Sequence, residues 1–377
     1  MFDKRLSSDR RDPAAPAWRR GAKWGKGLVR MDDPNRTTNG PQRLTIADVA
    51  AAAGVSVVTV SRAMNAPDVV SERTRRRIAD AMRAIGYVPD LMARALTTQR
   101  SGIVAALVPT LTDPGFARSM EGLINVLGRQ GLQLIFGNTQ YDSGTEERVA
   151  SALLGRRPDA LVLTGTTHTD AFRRVIAAAG IPVVEMWHLD DGPIDMAVGI
   201  RNRDASRDIV RHLIATGRRR LAYVGRPVRD NERAAARQQG FLAAAAEAGI
   251  VVPATHVIET ATSMAVGAEV VERLVVPGVV DGIAFSGDDA AAGALMRCLV
   301  LGIDVPGSLS IVGFGDHPIA SLLPGGLSTV RIDGMEIGIH AANLILQALS
   351  GQPVTRRVVD VGYQLILRGS TIGQHAT

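Results

Sequence analysis

Between residues 44 and 86 the apolar positions recur with the period of a helix. Ile46, Val49, Ala50 and Ala53 fall at i, i+3, i+4 and i+7, one face of a short helix. Gly54-Val55 interrupts that helix, and Ser56 is placed to cap a second one running to about Asn65. A third pattern starts after Ser71, carries Ile78, Ala81, Met82 and Ile85 on one face, and stops at Gly86. From residue 103 the pattern changes. Short apolar runs at 103–108, 132–136, 160–164, 182–186, 221–225, 282–285 and 309–314 read as buried parallel strands. Amphipathic segments such as 116–130, 170–179, 204–216, 232–248 and 288–301 separate them. This alternation predicts an α/β core of doubly wound parallel sheets. Its length is too great for one open sheet, so two similar lobes are expected.

Composition narrows the chemistry. Cys298 is the only cysteine, which excludes an intrachain disulfide and a cysteine metal cluster. Its apolar helical setting marks it as a buried structural thiol. Lysine occurs only at positions 4, 23 and 26, so the globule has none for a Walker A loop or a Schiff base. The seven histidines include no i,i+3 or i,i+4 pair for a metal, and no G-x-S-x-G, H-E-x-x-H or G-x-G-x-x-G motif occurs. No enzyme, cofactor or metal site is expected. No apolar run approaches the roughly 18 residues of a membrane helix, and the N-terminus lacks the apolar stretch of a secretory signal. The expected place is the cytoplasm, in association with the nucleoid.

Charge then singles out the front of the chain. Residues 1–43 carry a net +6, residues 44–100 a net +3, and residues 101–377 a net −3. Such a distribution points to nucleic acid as a partner of the N-terminal part. Two short helices joined by Gly54-Val55 make a helix-turn-helix whose second helix can enter the major groove. With Val55, Val60 and Met64 packed inward, Val57, Val58, Ser61, Arg62 and Asn65 share the other face. Adjacent valines there suit thymine methyls, and Arg62 suits guanine O6/N7. Thr45, Ser56 and Thr59 sit near helix starts, where hydroxyls reach phosphate oxygens.

GVSVVTVSRAMN followed by VSERTRRRIADAMRAIGYVPDLMARAL resembles the headpiece and hinge of LacI/GalR-type transcriptional regulators. The resemblance continues through LVPTLTDPGFA, GIPVVE, GRRRLAYVG, RQQGF, DDAAAGA, VPGSLSIVGFGD, STVRID and LILRGST, about 44–372 in all. It implies a DNA-binding headpiece at 44–90, a hinge helix or linker at 91–101, and a two-lobed core at 102–377 similar to type I periplasmic binding proteins. The lobes are expected at 102–201 plus 331–358 and at 202–330 plus 359–377. Val57, Val58 and Arg62 match the positions that choose operator bases. In the hinge, Ala93 faces the DNA and Leu96 matches the leucine wedged into the minor groove. Asp90 departs from the family's common Asn and is assigned no contact. A homodimer on a near-palindromic operator is implied.

The resemblance also implies an effector between the lobes. Arg237, in RQQGF, matches an arginine directed at the ligand, and Asp288 fits an Asn-Asp pair whose Asn is here Gly287. In GFGD, Gly315 replaces an Asp that accepts sugar hydroxyls, with Asp316 following. Losing that carboxylate while keeping Arg237 favours an anionic ligand, a sugar acid over a neutral sugar. TGTTHT, IPVVEMW and IDMAVGIRN resemble the gluconate-utilisation repressor branch, which implies gluconate or a related aldonate acting as inducer. Glu185, Trp187, Asn202 and Phe116 would then lie near the cleft. Trp187 either covers a sugar face or is a core aromatic, and His168 is either a cleft residue or an exposed loop histidine. The rival readings are a corepressor in place of an inducer, a family regulator of another sugar or nucleoside pathway, a solute-binding protein, which leaves residues 44–97 unexplained, and an enzyme with a fused DNA-binding headpiece, which the missing catalytic motifs disfavour.

Residues 1–43 lack periodicity and read as disordered. Residues 1–30 alone carry the net +6, and Met31 stands 14 residues before Thr45. The first 30 residues are thus either an over-extended gene start or a basic DNA-binding arm.

Overall fold

A computed structural model describes residues 44–88, 100–275 and 279–372. The chain separates into two compact units divided at Pro89/Asp90. The expected hinge, with Ala93 and Leu96, lies outside the described residues.

The first unit is helical: α1 (Ile46–Ala53), α2 (Val57–Asn65) and α3 (Glu72–Ile85). Gly54 ends α1 in a left-handed conformation, φ +59°, and the Val55 N–H returns to the Ala50 carbonyl at 3.0 Å. The chain then turns by 105° into α2. Ser56 caps that helix by accepting from the Thr59 N–H at 3.1 Å. Val49, Ala50, Ala53, Val60, Ile78 and Ala81 form the core, with Val55, Met64, Met82 and Ile85 packed at its edge.

The second unit holds two six-stranded sheets. Lobe N is built on β1 (Ile103–Val108), β2 (Gln133–Asn138), β3 (Ala160–Thr164), β4 (Val183–Met186), β5 (Met196–Gly199) and, far along the chain, β11 (Val358–Asp360). Their order is β11-β5-β4-β3-β1-β2, all parallel. Helices α4 (Pro114–Arg129) and α12 (Gly334–Leu349) cover one face, and α5 (Ser143–Leu154) and α6 (Asp170–Ala179) the other. Lobe C repeats the plan with β6 (Leu221–Gly225), β7 (Val257–Glu259), β8 (Gly282–Phe285), β9 (Ser310–Gly315), β10 (Ser328–Arg331) and β12 (Gln364–Ile366), in the order β12-β10-β9-β8-β6-β7. Only β12 runs antiparallel to its neighbour. Its sheet is flanked by α7 (Asn202–Ala215) and α8 (Glu232–Glu247) on one side and by α9 (Met264–Leu274) and α10 (Asp288–Leu301) on the other. The short α11 (Pro318–Leu322) follows β9.

Burial explains why the seven apolar runs form strands: in a parallel sheet covered on both faces nearly every side chain is inside. Val104 to Val108 and Ala160 to Leu163 are at most 1% exposed. The short strands β5, β7, β10, β11 and β12 carry too few apolar residues to stand out in the sequence. Two lobe boundaries move accordingly. Arg331 pairs with Gly315 in the lobe C sheet, and β11 pairs with β5 through Asp360 and Gly199. Arg331 therefore belongs to lobe C, and residues 359 and 360 to lobe N.

In each lobe a glycine lets two helices touch backbone to backbone. A Cβ on Gly338 of α12 would lie 2.1 Å from the Ser119 carbonyl oxygen of α4, and one on Gly267 of α9 would lie 1.8 Å from that of Ala290 in α10.

Candidate effector cleft and DNA-reading surface

The DNA-reading candidates are mostly on the free surface of α2. Val57 and Val58 are 43% and 57% exposed, while Val60, two residues on, is fully buried. Arg62 and Asn65 are exposed beside them, and Thr59 and Ser61 half-exposed. The Asn65 amide donates to the Ser61 hydroxyl at 3.4 Å, and the Ser56 and Thr59 hydroxyls share a bond at 2.8 Å. Thr45 is exposed as well, its N–H and hydroxyl both donating to Asp48. Those two bonds hold the Asp48 carboxyl below the usual carboxylate range.

In the second unit a cleft of about 170 Å³ opens where the carboxyl ends of the strands of both lobes meet, the usual ligand position in open α/β sheets. Lobe N contributes Asp113 and Phe116 after β1, Tyr141 after β2 and Trp187 after β4. Lobe C contributes Arg226 after β6, Arg233 and Arg237 on α8, and Asp288, Asp289 and His317. Ligand sites usually exceed roughly 300 Å³, so the fitting occupant is small.

Arg237 is held from three sides. Its Nε donates to Asn202 Oδ1 at 2.8 Å, its Nη1 to the Ser286 carbonyl at 3.0 Å, and its guanidinium lies 3.7 Å from the centre of the Phe314 ring. Burial pulls its pKa down to about 10, which leaves it charged at neutral pH. Nη2 keeps no hydrogen-bond partner among the described residues. Asn202 is itself fully buried and donates to the Trp187 carbonyl at 2.8 Å, so it ties the guanidinium to the crossing between the lobes. Trp187 packs edge-on against Phe116, centroids 5.2 Å apart, and its indole N–H donates to Ser119 at 3.3 Å. Its φ of +79° and that of Tyr141, +59°, are costly for side-chain-bearing residues. Both residues line the cleft. Arg226 lies over the Tyr141 ring at 4.9 Å and Arg233 faces the Phe116 ring at 5.8 Å, cations of one lobe against aromatics of the other.

Of the expected effector set, Phe116, Trp187, Arg237 and Asp288 line the cleft. Asp288 does so from below. It is fully buried, accepts from the Thr329 hydroxyl at 2.6 Å and the His317 N–H at 2.7 Å, and burial pushes its pKa up. Four others stand elsewhere. Asn202 is behind Arg237. Asp316 spends both oxygens on Arg331 at 2.6 Å and Arg368 at 2.7 Å. His168 and Glu185 belong to a buried triad inside lobe N, His168 Nδ1 lying 3.1 Å from Glu146 and Nε2 3.2 Å from Glu185. His168 is therefore no exposed loop histidine; besides pairing in the triad it lines a second pocket between the lobes, with Tyr141 on its own side and Glu232 and Arg233 on the other. Trp187 meets both of its alternatives: it is buried and it walls the cleft. Arg226, Arg233, Tyr141, Asp113, Asp289 and His317 were not expected. Their shared signal is position one to eight residues past a strand end. Among the described residues no group of three or more His, Cys, Asp or Glu could hold a metal ion.

An exposed reading helix on one unit, and a two-lobed parallel-sheet core with a polar cleft on the other, define the class: a DNA-binding regulator with a periplasmic-binding-protein-like domain. The family model for bacterial regulatory proteins of the lacI family matches residues 45–90, and that for a periplasmic binding protein-like domain matches 210–371. The HTH-type transcriptional regulator GntR of Pseudomonas aeruginosa is 37% identical over 91% of this chain and 99% of its own. The GntR of Escherichia coli K12 is 33% identical over 87% and 99%. A crystal structure of a LacI family transcriptional regulator from Silicibacter pomeroyi superposes with a TM-score of 0.82 at 32% identity, covering 87% of this chain and 99% of that one. The chain belongs to the LacI family of transcriptional regulators.

Proposed function

We propose that this regulator binds a near-palindromic operator as a homodimer and releases it when a small sugar acid, gluconate or a related aldonate, occupies the interlobe cleft as inducer. The observation that carries the reading is Arg237, a charged fork with two donors held by the protein and a third uncommitted at the cleft. Such a fork suits a carboxylate. Arg226 adds positive charge, while Asp113 and Asp289 can accept hydroxyl hydrogen bonds, a mixture suited to a polyol that carries one acid group. The GntR names of the relatives support the same ligand.

Val57, Val58 and Arg62 would read bases, with Thr45, Ser56, Thr59, Ser61 and Asn65 on phosphates or neighbouring edges. For the second copy the core offers α10, where Leu299, Val300 and Leu301 are 58%, 70% and 47% exposed. An effector that prefers one lobe arrangement shifts the population toward it, and operator affinity falls to the extent that DNA prefers the other. Calorimetry across gluconate, other sugar acids and neutral sugars, paired with operator titrations, tests the reading. Tight binding of a neutral hexose with no response to any acid overturns it.

A further inference from the structure

His317 begins where β9 ends and anchors its N–H on Asp288, which sets the position of its ring over the cleft. Its Nε2 lies 3.9 Å from Asp113 Oδ1 of the opposite lobe, and its Nδ1 3.7 Å from Asp289 Oδ1 of its own. Both separations are longer than a hydrogen bond, and Nδ1 is buried with no hydrogen-bond partner. Gly315 is the other half of the arrangement. Its φ is +130°, and a Cβ there would lie 2.7 Å from His317 Nε2 and 2.8 Å from Cδ2. A side chain at 315 and the imidazole in its present place exclude each other. The missing side chain at 315 is therefore more than a lost carboxylate: it is the room that His317 fills.

Resting on the sugar-acid reading above, we propose that His317 is a specificity-determining residue of the effector cleft. Admitted by Gly315, its imidazolium donates a hydrogen bond to the anionic effector and selects acid over neutral sugar. Burial works against the charged ring, but Asp289 and Asp288 on α10 and Asp113 at the start of α4 outweigh it and raise its pKa. Arg226, which acts on Asp289, is the cation of the opposite sign in that group. The sign follows: effector affinity is full while His317 is protonated and falls as pH rises through its raised pKa, by at most tenfold per pH unit.

The test is calorimetry on the full-length protein, with gluconate and glucose as probes, between pH 6 and 9. His317→Asn is expected to lose roughly ten- to hundredfold in gluconate affinity, the range of a hydrogen bond to a charged group. It should leave glucose binding unchanged and lose the pH dependence. Gly315→Ala carries backbone strain at φ +130° in either background, so its cost to gluconate affinity should be larger with His317 in place than in the His317→Asn background. Ligand-free operator binding certifies that each variant is folded. Gluconate affinity in His317→Asn within twofold of the parent overturns the proposal and leaves the sugar-acid reading standing. A parent that binds no sugar acid overturns both.

Discussion

Replacing Arg237 with methionine keeps an unbranched stem beside Phe314 and removes the guanidinium. A charge-assisted hydrogen bond is worth about 1.5–3 kcal/mol, so gluconate affinity should fall roughly 10- to 150-fold. Two opposing terms act on the fold. Asn202 Oδ1 and the Ser286 carbonyl each lose a donor, and for the fully buried Asn202 that costs about 1–3 kcal/mol. Against that, a cation whose burial already depresses its pKa no longer has to be desolvated. A net loss under about 2 kcal/mol follows, small enough for a folded variant. Calorimetry measures the first effect and fluorescence anisotropy on labelled operator the functional one. Operator affinity without ligand should stay within about twofold of the parent, while gluconate up to tenfold above the parent's dissociation constant should no longer release the DNA. Gluconate binding by Arg237→Met within threefold of the parent would refute the placement of the acid group on this arginine.

The other expectations concern separate parts of the molecule. Alanine at Val57, Val58 and Arg62 together should abolish the preference for operator over random DNA and leave thermal unfolding nearly unchanged, since all three side chains are exposed; retained preference in a competition assay rules out this reading face. His168 is pulled down by burial but raised to about 9 by Glu146 and Glu185, against 6.5 unperturbed. Its stabilisation is therefore complete below about pH 6.5 and is lost as pH rises through 9. Urea unfolding between pH 6 and 10 should show that loss in the parent and not in His168→Gln, which at pH 6 should be less stable by about 3–5 kcal/mol. Gly338→Ala brings a methyl against the Ser119 carbonyl, backbone that cannot step aside; a loss of about 1–3 kcal/mol by thermal unfolding is expected. Asn202→Ala should weaken gluconate less than Arg237→Met does, because it only releases one donor of that arginine.

The headpiece was legible because every determinant is local: the αL glycine at 54, the Ser56 cap and the helical period of Val55, Val60 and Met64 all act within a few residues. The long strands were legible for the same reason, burial on both faces writing itself as an apolar run. The cleft was legible only in part. Glu185 and Trp187 are two residues apart, yet Glu185 at the end of β4 points into lobe N toward His168, while Trp187 just past the strand walls the cleft. Strand alternation cannot settle that, because the φ of +79° at Trp187 breaks the period. Asp316 looked like a ligand carboxylate because its partners, Arg331 and Arg368, are 15 and 52 residues away. His317 was hidden behind an interpretation of Gly315 as a deletion, when the glycine makes space for the neighbour two positions on.

What joins the lobes also sets how much work an effector must do. Arg226 over Tyr141, partly exposed, is worth about 0.5–1 kcal/mol, and Arg233 facing Phe116, both buried, about 2 kcal/mol, while the His317–Asp113 separation is wider than a hydrogen bond. Gly165 of lobe N, at φ +96°, lets Glu232 and Arg233 of lobe C come close; a Cβ there would stand 2.1 Å from Glu232 Oε1. In the proposed switch the effector acts on an equilibrium between two arrangements of the lobes. Moving such an equilibrium from 1:99 to 99:1 takes about 5.5 kcal/mol of differential binding. Two or three charge-assisted hydrogen bonds that exist only with the lobes together supply that amount. On the proposed reading, Arg237 and His317 on lobe C, acting with Asp113 on lobe N across one small ligand, would be enough for that switch, whereas an effector bound by one lobe alone would shift nothing.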